Sequence, residues 1–196
     1  MTLQNRVTPF GALVADPARG SLMGNRGGRF HDPATRALVS RRRHVSRRWI
    51  CCVLAFKARQ RAVWGRGYTE LFFLDEVTAL AAGHRPCMEC RRAAARTFLA
   101  AAGMDGVDAL DRALHAERLA NRPVARLGTL PDGAMVGLGE DAFAVLGQRL
   151  LPWGLAGYGP PVPLAPEAEA VVLTPATTLA ALCAGYRPLW HPSAPT

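Results

Sequence analysis

The chain has 196 residues, 49% of them hydrophobic and 20% charged, which is enough to bury a core as one domain or as two small ones. It contains no run of about 18 apolar residues, so we expect no membrane-spanning helix, and its first residues lack the charged-then-apolar order of a secretory signal. Five unevenly spaced cysteines do not form a disulfide framework. We therefore expect a cytoplasmic protein with no membrane partner.

The net charge of +9 is concentrated in the first third of the chain. Residues 1–66 contain thirteen arginines and Lys57 against two aspartates, a net charge of +12, whereas the remaining residues carry a net charge of −3. Such asymmetry is typical of a segment that binds a polyanion. Because guanidinium groups bind phosphate oxygens in a bidentate manner, we predict a nucleic acid as partner, with DNA favoured. A solvated basic face and an anionic membrane surface are the alternatives.

A glycine-rich stretch between residues 19 and 32 is the first candidate for phosphate contact. Its backbone N–H groups could form a concavity for an anion, with Arg26 and Arg29 beside it. It lacks the Lys-Ser/Thr pair of a Walker loop, and a turn-rich surface loop is the simpler interpretation. His31 is a candidate zinc ligand here, although a surface histidine is the more common case.

The densest basic cluster lies just before a strand predicted from Trp49 to Phe56. It consists of Arg41, Arg42, Arg43, His44, Arg47 and Arg48. His44, within this cluster, is open to the same two interpretations as His31. The side chains that we predict to contact phosphates are Arg26, Arg29, Arg41, Arg42, Arg43, Arg47 and Arg48.

The segment from Tyr68 to Arg92 contains the strongest local signals. Residues 69–74 are rich in β-branched and aromatic side chains, which predicts a strand. Asp75 can cap a helix that Gly83 ends. A turn and a Cys-x-x-Cys motif follow, and then a second helix, expected from about Glu89 to Ala102.

The Cys-x-x-Cys motif, Cys87 and Cys90, predicts a zinc site. Two thiolates at this spacing can bind one tetrahedral zinc with bonds of about 2.3 Å, and neighbouring arginines and a helix N-terminus favour the thiolate form. A third thiolate is expected from Cys51 or Cys52. Because neighbouring strand residues face opposite sides of a sheet, one of these two can readily reach the metal and the other is not expected to. A redox pair and an accidental spacing are the alternatives.

This segment resembles the metal-binding module of the Ada family of DNA alkylation-repair proteins. The resemblance covers about 25 of the 196 residues. It implies a zinc bound by four cysteines, one of which accepts a methyl group from a phosphotriester in damaged DNA. The shared features are a strand with Phe72-Phe73, a helix ending in Leu80-Ala81-Ala82-Gly83, and the knuckle His84-Arg85-Pro86-Cys87-Met88-Glu89-Cys90-Arg91.

The chain departs from this family upstream of the knuckle. Adjacent Cys51 and Cys52 stand where the family has a C-x-x-x-C pair, and an arginine replaces the second proline of the family's knuckle. We therefore expect a three-cysteine site with a histidine or water as fourth ligand. No methyl transfer is predicted for such a site. Cys51 or Cys52 would be the acceptor if the family's chemistry were retained.

A helix is predicted from Asp105 to Ala120, with Val107, Leu110 and Leu114 as its buried stripe. Its second face consists of Asp108, Asp111, His115 and Arg118. An aspartate one turn before a histidine can orient the imidazole as a general base, which makes His115 and Asp111 candidate catalytic residues. A solvent-exposed face with pairs of opposite charge is the alternative.

The last third of the chain changes character and becomes rich in glycine and proline. Gly139 and Gly147 predict hairpin turns, and a helix is expected from Pro175 to about Ala184, closed by Gly185. Cys183 in this helix is expected in the core. The predicted strands are Ala134–Leu138, Ala142–Leu146, Arg149–Trp153 and Ala170–Leu173.

These signals predict an α+β protein. A basic, zinc-bearing domain from 1 to 128 is centred on the knuckle, and a small β-rich subdomain from 129 to 196 ends in a short helix. The predicted function is that of a zinc-stabilised nucleic-acid-binding protein, linked to DNA repair by the resemblance. The alternatives are a metal-dependent nuclease or other hydrolase that uses His115 and Asp111, and a stoichiometric DNA alkyl acceptor. A binding role is favoured over catalytic turnover.

Overall fold

A computed structural model describes residues 2–39, 41, 43–60 and 62–195. Within these residues the chain forms a six-stranded sheet, a seven-stranded sheet and a two-stranded ribbon, together with four α-helices. The mixed α+β class is thereby confirmed. None of the helices in the described part of the chain combines the length and the apolar character that crossing a membrane requires.

The first sheet has the strand order β2-β1-β7-β3-β6-β8. Strand β6 lies inside it, antiparallel to β3 and parallel to β8. The strand predicted from Trp49 to Phe56 exists, but it ends at Cys52. The strands of this sheet and of the ribbon (β4 and β5) are β1 (Arg6–Val7), β2 (Leu13–Val14), β3 (Leu22–Arg26), β4 (His31–Asp32), β5 (Ala37–Leu38), β6 (Trp49–Cys52), β7 (Leu71–Phe73) and β8 (Arg85–Pro86).

The helices follow the predicted caps closely. Asp75 caps α1, since its carboxylate accepts the backbone N–H of Thr78 at 2.8 Å, and Gly83 ends the helix with a φ of +78°. The second helix begins at Arg92 and not at Glu89, because residues 88–91 form a turn instead. The helices are α1 (Glu76–Ala81), α2 (Arg92–Ala101), α3 (Val107–Leu119) and α4 (Ala176–Cys183).

The second sheet has the strand order β13-β12-β11-β10-β15-β9, with β14 paired to β12. Both predicted hairpins are confirmed, with positive φ at Gly139 and Gly147 between antiparallel neighbours. A short 3₁₀ helix, Leu127–Thr129, follows β9. The strands are β9 (Val124–Arg126), β10 (Met135–Leu138), β11 (Asp141–Leu146), β12 (Arg149–Gly154), β13 (Gly157–Tyr158), β14 (Val162–Pro163) and β15 (Glu169–Val172).

Helix α1 packs against both sheets. Its Val77 belongs to a buried cluster that also contains Met135 and Leu151 of the second sheet. The boundary between residues 128 and 129 stays a prediction; β9, which precedes it, pairs with β15 beyond it. The expectation that Cys183 is in the core is wrong: its side chain is exposed, because it lies on the outer side of α4.

The C-terminal segment is attached to the start of α1 by hydrogen bonds to two buried carboxylates. Glu76 accepts the hydroxyl of Tyr186 at 2.6 Å and the backbone N–H of Leu189 at 2.9 Å. Asp75 accepts the hydroxyl of Tyr158 at 2.8 Å and a backbone N–H near the C-terminus. These acids therefore hold the fold together, which is why they are buried without being part of a candidate site.

Candidate metal centre

Strand β6 places its two cysteines on opposite faces of the first sheet. Cys51 is fully buried, whereas Cys52 is half-buried on the other face. Only Cys52 joins Cys87 and Cys90, and the three sulfur atoms lie within 4.8 Å of one another. The structure thus selects Cys52 from the two candidates and forms a cluster that can hold a metal ion. The cluster of Cys52, Cys87 and Cys90 is called the cysteine centre below.

Pairing of β6 with β8 brings the knuckle to Cys52. The two strands run parallel with Cys51 opposite Pro86, and the backbone N–H of Cys87 donates to the carbonyl of Cys51 at 2.9 Å. Beyond Cys87 the chain turns, and the backbone N–H of Glu89 points at the Cys87 sulfur, 3.4 Å away. A sulfur that accepts backbone N–H groups is stabilised as a thiolate.

The electrostatics favour a thiolate at Cys87. A hydrogen bond from the Cys52 thiol lowers the pKa of Cys87 to about 5, with further help from the backbone N–H groups of Cys90 and Glu89 and against the effect of burial. Burial raises the pKa of Cys90, and the hydrogen bond to Cys87 followed by burial raises that of Cys52. A cation would remove this competition, because each sulfur could then be a thiolate. Three thiolates form a soft donor set, which suits zinc among the common divalent ions.

Cys51 has a different environment. The guanidinium of Arg91 donates to its sulfur at 3.2 Å and forms a buried ion pair with Glu76 at 2.6 Å. Burial raises the pKa of the Cys51 thiol. Of the four cysteines predicted as metal ligands, Cys51 is therefore the one that the structure leaves in the core.

Neither candidate histidine joins the cysteine centre. The two ring nitrogens of His31 form hydrogen bonds with the hydroxyl of Thr69 (2.8 Å) and the carbonyl of Gly65 (2.9 Å), and the ring stacks on Trp64. His31 is 2% exposed, so the surface position expected for it is wrong. His44 lies beside Trp49, on the opposite face of β6.

The cysteine centre borders a cavity from which a bound ion could take a fourth ligand. Among the described residues, no histidine, aspartate or glutamate completes the set of three cysteines. A cavity of about 360 Å³ lies beside all three and is lined by Tyr68, Glu70 and Phe72 among others. Sequence reasoning missed these residues. Their alternation at steps of two is the signal that they share one face of the chain.

The basic cluster lies largely on the surface. Arg41, Arg43, Arg47 and Arg48 are exposed, and Arg48 forms a solvent-exposed ion pair with Asp108 at 3.4 Å. Arg29 is also exposed, with its guanidinium bound to the carbonyl of Arg66. Arg42, also predicted to contact phosphates, lies outside the described residues.

Arg26 does not lie on an exposed basic loop, and that expectation is wrong. The glycine-rich stretch contains strand β3, which pairs Arg26 with Trp49 in the interior of the sheet. The Arg26 side chain is 1% exposed, and its guanidinium lies over the Trp49 ring, 3.9 Å from the centroid. Arg26 is buried because β3 pairs with the distant strand β6. The residues next to Arg26 in the sequence give no indication of that pairing.

A groove connects the basic cluster with the cysteine centre. It has a volume of about 600 Å³ and extends from Arg48 and Ser46 past Gly27 to Cys87. Gly27 permits this approach, because a Cβ on it would lie 1.9 Å from the Ser46 hydroxyl and its φ is +80°. Cys87 of the cysteine centre and Arg48 of the basic cluster therefore line one groove.

Asp111 and His115, the predicted catalytic pair, do not contact each other as an active-site pair would. Both oxygens of Asp111 accept hydrogen bonds from Arg85 at 2.8 Å, and the aspartate is 2% exposed. His115 lies instead beside Arg118, whose guanidinium is 3.4 Å from its Nδ1. Asp111 thus anchors α3 to β8 and does not orient His115 as a general base would require.

Comparisons with models of protein families, with curated proteins and with solved structures find no match to this chain.

Proposed function

We propose that the protein binds zinc at the cysteine centre and binds nucleic acid along the adjoining groove. One observation carries the proposal: the groove that begins at the exposed Arg48 of the basic cluster ends at Cys87. A strand bound by its phosphates in this groove would bring its bases or backbone to the metal ligands. The geometry therefore favours one binding surface over two unrelated features.

Zinc is the ion that the donor set suits best. Cys52, Cys87 and Cys90 would hold it, and it would join strand β6 to the knuckle and polarise a fourth ligand. Cys52 is fixed by β3 and β8 on either side of its strand, and Cys87 by its bond to the Cys51 carbonyl. The sulfurs are thus already close before any ion binds, which reduces the loss of conformational freedom on binding.

The arginines would contact the phosphate backbone and not the bases. Arg41, Arg47 and Arg48 are exposed, and the ion pair of Arg48 with Asp108 is solvent-exposed and easily exchanged for a phosphate. Each phosphate contact releases counterions, so affinity should fall steeply with salt concentration. Contacts of this kind fix the position of a strand but do not read its sequence.

The test compares two triple variants of equal charge. The groove variant, Arg41→Gln with Arg47→Gln and Arg48→Gln, removes Arg48, which lines the groove, and two exposed arginines of the same basic cluster. The control variant, Arg112→Gln with Arg149→Gln and Arg187→Gln, removes three exposed arginines elsewhere. Anisotropy of labelled single- and double-stranded DNA and RNA is measured between about 50 and 200 mM salt, the range over which several phosphate contacts change affinity strongly.

We expect the groove variant to reduce the salt slope on duplex DNA by roughly 0.9 for each phosphate that it no longer neutralises, with zinc content unchanged. The control variant should retain most of the affinity. Absence of binding by the unaltered protein at low salt, or equal losses of affinity in both variants, would disprove the nucleic-acid proposal.

One observation favours a second candidate, a hydrolytic reaction on the bound nucleic acid. The cavity beside the cysteine centre is also lined by Glu70, a buried carboxylate that accepts the backbone N–H of Trp64 at 2.7 Å, and an ion held by the three cysteines could take a water from this cavity as fourth ligand. Three protein ligands with one open position are typical of zinc sites that activate water. If this candidate holds, Glu70→Gln should keep zinc and binding but abolish product formation, as followed by mass spectrometry of oligonucleotides. Oligonucleotides left intact by the unaltered protein would exclude it.

A further inference from the structure

A second, larger cavity lies on the opposite face of strand β6. It has a volume of about 680 Å³ and is bordered by the first sheet, the end of α3 and the start of α4. Four arginines and a tryptophan contribute to its wall, namely Arg26, Arg43, Trp49, Arg118 and Arg122. We call this cavity the arginine pocket. We infer that the arginine pocket binds an organic phosphate of mononucleotide size.

Two of the guanidinium groups lie over the same indole ring. The Cζ atom of Arg26 is 3.9 Å and that of Arg118 is 4.3 Å from the centroid of Trp49. Cation–π contacts fix the position of such groups but do not neutralise their charge. Trp49 thus holds two positive charges close together at the wall of the pocket.

These two charges have no carboxylate partner among the described residues. Arg26 donates to the carbonyl of Gly11 (2.9 Å) and contacts His84, while Arg118 donates to the carbonyls of Gly83 (2.6 Å) and Arg47 (2.9 Å). No ion pair includes either arginine within the ranges that the structure describes. The Nε of Arg118 is buried and has no hydrogen-bond partner in the same part of the chain.

Burial makes this arrangement costly for the protein alone. It lowers the pKa of Arg26 to about 9 and that of Arg118 to about 10, and the two guanidinium groups repel each other. The charges of Asp111 and Glu117 act on Arg118 in the opposite direction but do not outweigh burial. Buried charges are normally paired, so an anionic ligand would supply the missing compensation.

Glu117 is the only acidic side chain among the described residues that line the pocket, and it is already engaged. Its carboxylate accepts the backbone N–H of Thr177 at 3.1 Å and the hydroxyl of the same residue at 2.6 Å. It therefore caps the start of α4. The pocket keeps an excess of positive charge.

The remaining wall selects an organic anion over a simple ion. Phe10, Leu13 and Leu173 contribute apolar surface, and the volume is within the range of small-molecule sites, about 300–1,000 Å³. Arg122 lies at the edge, with its guanidinium over the ring of Phe10 and bound to the Phe10 carbonyl. A phosphate held by arginines with an apolar or aromatic body against this wall matches both parts of the pocket.

Arg43 links the pocket to the basic cluster. The ligand could therefore be a free nucleotide or the phosphorylated end of a strand that follows the basic cluster, since both offer the same phosphate chemistry. The inference goes beyond the proposed function and does not depend on it, because the pocket and the cysteine centre lie on opposite faces of the sheet.

Calorimetric titration of the purified full-length protein with AMP, adenosine and inorganic phosphate tests the inference. We expect AMP to bind at least roughly 10-fold more tightly than adenosine, as the absence of charge-assisted hydrogen bonds to adenosine implies, and also more tightly than phosphate. Arg118→Gln with Arg122→Gln should weaken AMP binding by about 10- to 100-fold on the same basis. The matched control, Arg112→Gln with Arg126→Gln, removes two exposed arginines outside the pocket and should bind AMP normally.

Arg43→Gln with Arg122→Gln, both at exposed positions, gives a second variant that avoids the buried stack. It should also weaken AMP binding, with the melting temperature unchanged. Competition by a 5′-phosphorylated oligonucleotide would identify the strand end as the source of the phosphate, and its absence a free nucleotide. Equal affinity for AMP and adenosine, no AMP binding at millimolar concentration, or an equally weakened control variant would overturn the inference.

Discussion

Strand β6 presents Cys52 to one face of the first sheet and Trp49 to the other, and the side chains around these two residues have opposite electrostatic character. Around Cys52, two further cysteines within 4.8 Å provide soft sulfur donors suited to a cation, and Cys87 favours the thiolate form. Around Trp49, Arg26 and Arg118 hold positive charge without a carboxylate partner in the described residues. Two residues of one four-residue strand thus belong to sites for ligands of opposite sign.

The difference follows from the alternation of side chains along a strand. Residues 49 and 51 face the buried side, where Cys51 is a core thiol beside Arg91, and residues 50 and 52 face the side with the grooves. Moving the register by one residue would exchange the two faces. Position along the strand, and not residue type, therefore decides that Cys52 and not Cys51 is available to a metal.

Removal of the knuckle thiolates should have the largest effect on this comparison. For Cys87→Ser with Cys90→Ser, we expect zinc to fall from about one per chain to near zero. The unfolding free energy should fall by roughly 5 kcal/mol or more, since structural zinc contributes about 10 kcal/mol or more in small domains. Elemental analysis and urea unfolding measure the two quantities.

Single variants then compare the two faces. Cys52→Ser should lose zinc, whereas Cys51→Ser and the exposed Cys183→Ser should keep it. Full zinc content in Cys52→Ser, or its loss in Cys51→Ser, would reverse the assignment of the two faces.

Helix α3 lines the arginine pocket and is bound to β8, the strand before the knuckle, so its anchor should be the next most sensitive element. Asp111→Ala leaves Arg85 buried without a partner, and we expect a loss of about 3–5 kcal/mol of stability. Asp108→Ala removes a pair whose side chains are both 67% exposed, so it should change stability by about 1 kcal/mol or less. Urea unfolding of both variants measures the contrast. Equal effects would show that Asp111 does not anchor the helix.

Acid should lower the unfolding free energy of the protein through His84, which lies beside Arg26 and Trp49. Burial, then the charges of Arg26 and Arg118, hold the pKa of His84 well below its ordinary value, so the imidazole is neutral in the folded protein. Its contribution to stability is complete above the unfolded pKa of about 6.5 and is lost as the pH falls below it. We expect the unfolding free energy to decrease by roughly 1 kcal/mol between pH 7.5 and 5.5 from this group. His84→Gln should lack that part of the decrease.

Zinc release would be a competing cause of acid destabilisation, because protons compete with the ion for the thiolates as the pH falls. Zinc content is therefore measured at each pH in both proteins. An identical pH dependence in the two proteins would rule out His84 as the titrating group.

Local signals in the sequence were enough for much of the fold. The cap at Asp75, the helix end at Gly83 and the hairpins at Gly139 and Gly147 depend on the chemistry of one or two residues, and all are found. The helix expected from Glu89 starts later because the chain turns at residues 88–91, which brings Cys87 and Cys90 together. The helix propensity of these residues does not indicate that the two cysteines must come together.

The candidate sites depend on contacts between residues that are distant in the sequence, so the sequence predicted their composition only in part. Alternation in β6 predicts that one cysteine of the adjacent pair reaches the metal, but not which one. The burial of Arg26 follows from the pairing of β3 with β6, and an arginine in a glycine-rich stretch gives no sign of it. The arginine pocket combines residues from position 4 to position 176, so no local pattern could predict it.

The smallest expected effect is the absence of methyl transfer to either cysteine of the pair. Cys51 is 0% exposed and bound to Arg91, so a phosphotriester cannot approach its sulfur. Cys52 lies on a strand flanked by β3 and β8, and its sulfur is clustered with Cys87 and Cys90. A methyl group on Cys52 would remove a thiolate from the metal ligands, and the paired backbone could not move to accommodate it.

Intact mass and peptide mapping after incubation with methylphosphotriester DNA measure this directly, and we expect an unchanged mass. Exposed Cys183, treated with methyl iodide, provides the positive control for detection of a methylated cysteine. A gain of one methyl group on Cys52 would mean that the cysteine centre reacts with DNA and does not only lie beside it. The two faces of β6 would then differ in reactivity as well as in charge.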